Sequence, residues 1–252
     1  VLSKVFGWVQ RLFFKFRSSN SIVLFYGESI KEVFFKKFPN YSSNNVICID
    51  HPYDFDTDKL ISIKRNPLVV SGIGTGLINK NSHYIYKLAS FFSEEIKGNK
   101  IKFQHIGNMS NEVKSFQNEL VSDMGDGRFM DRETFENQLV NSSMFIYFFE
   151  ENSLYDLCPS GTFFDAIKYE KPIISFKNPF FKHYFDKIGE IGWQFDNIDD
   201  IKDFLFYIIN LDDTSFLKIT NMITTNLQEG KSILSLDEIE KKFLIQLKKY
   251  AK

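Results

Sequence analysis

A chain of 252 residues with 31 basic and 32 acidic side chains is close to neutral, which excludes recruitment to nucleic acid by overall charge. Hydrophobic residues at 43% and charged ones at 25% place it among ordinary globular proteins, long enough for one large domain or two small ones. No uncharged apolar run approaches the roughly 20 residues needed to cross a bilayer.

Residues 1–18 carry Leu2, Val5, Phe6, Val9, Leu12 and Phe16 at helical spacing, with Lys4, Arg11, Lys15 and Arg17 and no acid. This basic amphipathic helix either packs on a neighbouring domain or lies on an anionic membrane surface. Its first residue is Val, so the chain is expected to be a piece of a longer or processed protein. Two short strands follow, Ile22–Tyr26 and Val46–Ile49, separated by a helix from Ser29 to Phe38. His51-Pro52 closes this unit, because proline cannot continue a strand ladder.

From Pro67 onward strands and helices alternate. The strands are Leu68–Ser71, Ile101–His105, a short Arg128–Met130, Met144–Phe148, Pro172–Ser175 and Trp193–Phe195. Between them come helices over 82–96, 111–120, 132–140, 161–169, 180–188 and 201–210, and a last helix lies within 235–252. Such alternation predicts an α/β fold with a doubly wound parallel sheet covered on both faces. Cys48 and Cys158 stand far apart with no secretory signal ahead of them and no metal-ligand spacing to a partner, so free thiols in a reducing, cytoplasmic setting are expected. His51, His83, His105 and His183 also lack ligand spacing, and no metal site is expected. His105 lies nearest the loops described next, where a structural role is the expectation.

Ligands of open parallel sheets sit beyond the carboxyl ends of the strands, and two loops there attract notice. "SGIGTGLINKN", residues 71–81, places Gly72, Gly74 and Gly76 after the first strand and Lys80 where the next helix begins. It matches neither the dinucleotide fingerprint nor a P-loop, leaving a flexible turn or a close backbone approach to a ligand. In "LYDLCPSGTFFDAIKYEKPII", residues 154–174, Ser160, Gly161 and Thr162 open an amphipathic helix with Asp165 one turn inside. The N–H groups of a helix start suit phosphate oxygens, whereas a plain N-cap would use the same residues for the helix alone.

The segment "FFEENSLYDLCPSGTFFDAIKYEKPIIS" resembles the donor-site stretch of GT-B glycosyltransferases. "VVSGIGTGLINKN" is similar to the glycine-rich loop of the same domain, and "SIVLFYGESIKEVFFKKFPN" with "VICIDHPYDF" to the close of the family's N-terminal domain. The resemblance implies a Rossmann-like domain over 61–234, preceded by the remainder of an acceptor-side domain over 1–60. Residues 235–252 would then form a helix packing back toward the N-terminal part.

It also implies a nucleotide-sugar substrate, no cofactor beyond it, and a glycan or lipid-linked acceptor of a bacterial surface polysaccharide. Gly74, Lys80, Ser160, Gly161 and Thr162 would hold the donor diphosphate, Asp165 the ribose, and Phe129 and Met130 the base. The catalytic residue is unassigned, with Glu150, Glu151 and Asp156 as candidate acids; Leu157 stands eight positions before Asp165. Peripheral contact of residues 1–18 with the inner face of the cell membrane is expected for a lipid-linked acceptor. A non-catalytic nucleotide-sugar-binding subunit and a nucleotide-sugar epimerase are the alternatives.

Overall fold

The structure is a computed structural model and describes residues 21–39, 45–125, 130–151 and 154–250. The basic segment 1–18 and Phe129 therefore lie outside the described residues.

Two parallel sheets organise the chain. The smaller pairs β1 (Val23–Tyr26) with β2 (Val46–Ile49), joined by α1 (Glu28–Lys37). Strand alternation divides β2 between two partners. Val46 and Cys48 face Phe25, Ile30 and Phe34, while Ile47 and Ile49 face Ile239 of α10 (Leu236–Leu247), the last helix. Burial among apolar neighbours pushes the Cys48 thiol up to about 12, as an inert structural cysteine requires.

The larger sheet contains β3 (Leu68–Ile73), β4 (Ile101–Ile106), β5 (Val121–Asp123), β6 (Met144–Tyr147), β7 (Ile173–Phe176) and β8 (Gly192–Phe195). All six are parallel, in the order β5-β4-β3-β6-β7-β8. Alternate residues feed two cores. On one face Val70, Phe103, Ile146 and Ile174 meet α2 (Tyr84–Ser90), α3 (Ser93–Lys97) and α8 (Ile198–Asn210). On the other, Ile106, Phe145 and Ile173 meet α5 (Arg132–Asn141), α6 (Gly161–Lys168), α7 (Pro179–Ile188) and α9 (Asp213–Ile233). A remaining single turn, α4 (Asn111–Lys114), is capped by Ser110. The parallel, doubly covered sheet is the architecture that strand-helix alternation predicts.

Several boundaries differ from the sequence expectation for identifiable reasons. The helix expected over 82–96 breaks at Phe92, whose ring turns into the core against Phe206, 4.3 Å between centroids. The edge strand among the described residues is Val121–Asp123; it has one buried residue, Val121, and so no apolar run to announce it, while most of the expected Arg128–Met130 strand lies outside the described residues. The 21-residue α9 goes unpredicted because its buried stripe includes Thr220 and Gly230 among the apolar positions.

Candidate functional site

The strand order reverses between β3 and β6, so the chain leaves their carboxyl ends in opposite directions and opens a crevice there. A cavity of about 310 Å³ occupies it, at the lower end of the usual range for small-molecule sites. Gly74, Thr75 and Lys80 line one side; Asp156, Cys158, Ser160, Gly161 and Thr162 line another, and Asn178 closes it from the loop after β7. All five residues expected to hold a diphosphate are thus brought to one cavity.

The start of α6 departs from those of the other helices that a Ser, Asp or Asn precedes. Ser110, Asp131, Asn178, Asn197, Asp212 and Ser235 each accept an N–H of their own helix. Ser160 does not: its backbone is extended, its side chain makes no cap bond, and its hydroxyl lies 3.1 Å from that of Thr162. The capping alternative is therefore not the one adopted. Helix-start amides carry a partial positive charge, and here both hydroxyls remain available beside them. Nothing lies within 4 Å of a Cβ built on Gly161, which leaves the approach to the first turn open.

The glycine loop works differently from the expectation. Gly74 N–H donates to Ile106 O at 2.9 Å and Gly76 N–H to Asn108 O at 2.8 Å. These two amides are committed to the fold and not to a phosphate, a correction to the role expected of the backbone at Gly74. What the loop supplies is Lys80, the last residue of a 3₁₀ turn that Asn81 ends in the left-handed conformation, φ 53°. Asn81 Nδ2 donates to Phe148 O at 3.2 Å and fixes the turn against β6. The Lys80 ammonium lies 6.0 Å from the centroid of Phe149, and partial burial lowers its pKa.

The acids are less concentrated than expected. Glu150 and Glu151 are exposed and do not line the cavity, because the chain turns outward after β6. Asp156 does line it, with its side chain 6% exposed and paired at 2.9 Å to Lys37 of α1. Asp165 points elsewhere: it is 5% exposed, accepts the Tyr53 hydroxyl at 2.5 Å, and has Arg132 at 4.0 Å. Burial raises its pKa, against the opposing pull of Tyr53 and Arg132. Tyr53 belongs to the connector after β2 and stacks over Phe164 at 5.7 Å. A ribose would have to compete with that hydroxyl for Asp165.

Met130 packs against the second core. Gly74, which lines the cavity, begins a row of three glycines at the ends of β3, β4 and β5 whose other two members, Gly107 and Gly125, sequence reasoning missed. A Cβ on Gly107 would collide with Gly74 O, and one on Gly125 would lie 2.5 Å from Gly107 O. These backbones stack in direct contact, with no room for a side chain between them. Asn178 was also missed, although Asn-Pro is a readable helix-start signal. Its side chain accepts from Phe181 N–H and donates to Phe149 O, both at 2.9 Å, joining the loops after β6 and β7.

No protein-family model and no curated protein sequence matches the chain. Solved structures do. TarM aligns over 89% of this chain and 43% of its own, at 16% identity and a TM-score of 0.65. A variant of TarM from S. aureus has been seen in complex with UDP, fondaparinux and α-GlcNAc-glycerol. HepE from Anabaena, in complex with UDP-glucose, aligns over 91% of this chain and 64% of its own, at 13% identity and a TM-score of 0.67. The lipopolysaccharide outer core galactosyltransferase WaaB aligns over 90% and 62%, at 14% identity and a TM-score of 0.61. The chain thus spans less than two thirds of the length of each. Its fold is that of the GT-B glycosyltransferases.

Proposed function

We propose that the chain binds a nucleotide-diphosphate sugar in the crevice between β3 and β6 and takes part in glycosyl transfer. The observation that carries this reading is the uncapped start of α6, with the Ser160 and Thr162 hydroxyls, sharing one cavity with Lys80. UDP bound to TarM and UDP-glucose bound to HepE, proteins of the same fold, support a nucleotide diphosphate as the ligand class. A dianion arriving beside Lys80 favours the ammonium form and so offsets the effect of its burial. As the sugar leaves, negative charge grows on the diphosphate, where Lys80 and the helix-start dipole stabilise it without a metal. Residues 61–234 form the donor unit in this reading, 1–60 the close of an acceptor-side domain, and 235–252 a strap between them.

The acceptor proposed is a bacterial surface glycan or its lipid-linked precursor, met at the inner face of the cell membrane with residues 1–18 on anionic lipid. Among the described residues no helix is long and apolar enough to cross a membrane. Flotation with anionic and neutral vesicles tests the contact; equal recovery in both removes it. A second reading, a non-catalytic donor-binding subunit, is favoured by the outward position of Glu150 and Glu151 and the ion pairing of Asp156.

Isothermal titration with UDP, GDP and ADP tests the donor site. At least one of them binds, Lys80→Ala weakens it about tenfold or more, and EDTA leaves it unchanged. No binding at millimolar ligand, or affinity indifferent to Lys80, refutes the reading. Transfer or hydrolysis of the sugar from the matching donor then separates enzyme from binding subunit.

A further inference from the structure

The glycines of the first loop share a neighbour outside the loop, the imidazole of His105. Gly72 on β3 pairs directly with His105 on β4, which brings the ring up beneath the loop. A Cβ on Gly72 would lie 3.2 Å from Nδ1, and one on Gly76 3.2 Å from both Cε1 and Nε2. The ring crowds both places where alanines would put their methyls, joined at Gly76 by Met109 Cγ at 2.8 Å. Between them, Nε2 lies 3.0 Å from Gly74 O. A carbonyl only accepts, so the nitrogen is the donor and the tautomer is set by the loop. On its other side Gly74 meets the opposite wall of the cavity: a Cβ there would lie 3.0 Å from Thr162 Cγ2. Contact therefore runs from His105 through Gly74 to Thr162, with Lys80 at the far end of the same loop.

We infer that His105 is the positioning residue of the diphosphate site, the key around which the glycine loop is folded so that Gly74 seats against Thr162 and Lys80 enters the cavity. The inference rests on the donor-binding reading. Its physical content is the direction of one carbonyl. Tied to a ring only 3% exposed, Gly74 O is kept out of the cavity, where an oxygen would repel a phosphate. Burial lowers the pKa of the ring and Lys80 adds to that, while Asp123 on β5 and the backbone of Gly74 and Asn108 act against it. The lack of a side chain at Gly72 leaves room for the ring, and at Gly76 for the ring and Met109 together.

The test uses the full chain, with UDP and UMP titrated into wild type, His105→Leu and His105→Gln and thermal midpoints recorded. The Leu variant lowers the ratio of UDP to UMP affinity at least fivefold, and Gln, which keeps a donor at the Nε2 position, restores it to within about twofold. Should His105→Leu fail to fold, Gly72→Ala, whose methyl would lie 3.2 Å from Nδ1, pushes at the ring from the strand side and lowers the same ratio. A folded His105→Leu or Gly72→Ala variant with an unchanged ratio overturns the inference, as does a Gln variant no better than Leu. Failure of the wild type to bind UDP refutes the donor reading itself.

Discussion

At the scale of single residues, the chain uses chemically similar side chains for unlike purposes, and burial decides which. Lys80 reaches the cavity, whereas Lys171 is 0% exposed and donates to Ser62 O and Val140 O, both at 2.7 Å. Its motif, Lys-Pro before β7, reads as a simple lead into a strand; the structure makes it an anchor for the connector. Burial lowers the Lys171 pKa to about 7 from the ordinary 10.5, with Lys64 adding to the shift. Between those values the unfolded chain binds more protons than the folded one, so this group makes stability rise with pH across that window. Lys171→Met removes the effect. Denaturant unfolding at pH 7 and pH 9.5 is expected to show a wild-type gain larger than the variant's by about 2 kcal/mol or more. Equal gains would mean that Lys171 stays charged throughout.

Asp165 shows the limit of reading single residues. Its place in the first turns of α6 is plain from spacing, but its partner Tyr53 lies 112 positions earlier, beyond any local pattern. Glu150 and Glu151 are expected to end the strand, but β6 stops at Tyr147 and both lie exposed in the loop beyond it.

At the scale of elements, three adjacent strands end in glycines whose backbones touch. Gly107 has φ 130°, and a Cβ there would meet Gly74 O. Gly107→Ala is expected to lower unfolding free energy by about 2–4 kcal/mol, from overpacking plus an unfavourable backbone angle. Gly161→Ala, with open space around it, serves as the contrast, with a change under about 1 kcal/mol. Urea midpoints check both, and comparable losses would dismiss the stacked-backbone account. Periodicity made the sheet strands with apolar runs legible, since β3, β4, β6 and β7 are buried on both faces. It failed for β5, whose Ser-Asp end is polar, and for α9, whose packing surface accepts small and polar residues.

At the scale of the molecule, the small sheet is held to the large one by charge as well as by apolar contact. Asp50, just past β2, is 5% exposed and accepts Lys187 Nζ of α7 at 2.6 and 2.5 Å, with Lys242 of α10 at 3.5 Å. Burial alone would raise its pKa; His183, Lys187 and Lys242 outweigh it and hold the carboxyl well below the usual 3.8. A depressed carboxylate contributes its stability above the unfolded value and loses it as pH falls beneath that. Asp50→Asn should therefore cost on the order of 2 kcal/mol at neutral pH, since the lysines lose their counter-charge, and progressively less as pH falls below about 4. Acid and neutral denaturation curves of both proteins measure it; a cost independent of pH would mean that packing, not charge, makes the clamp.

By itself the sequence determined the fold class and picked out residues that the structure gathers in one cavity. Both follow from local rules: period-two and helical apolar spacing, a glycine loop after a strand, and a Ser-Gly-Thr turn before a helix. Only the tertiary structure decided what those residues do to one another. It left Ser160 out of capping, committed the Gly74 amide to β4, turned Asp165 to Tyr53, and set His105 beneath the glycines. Each outcome depends on contacts between strands and loops far apart in the chain, whose partners the strand order selects and no local spacing encodes.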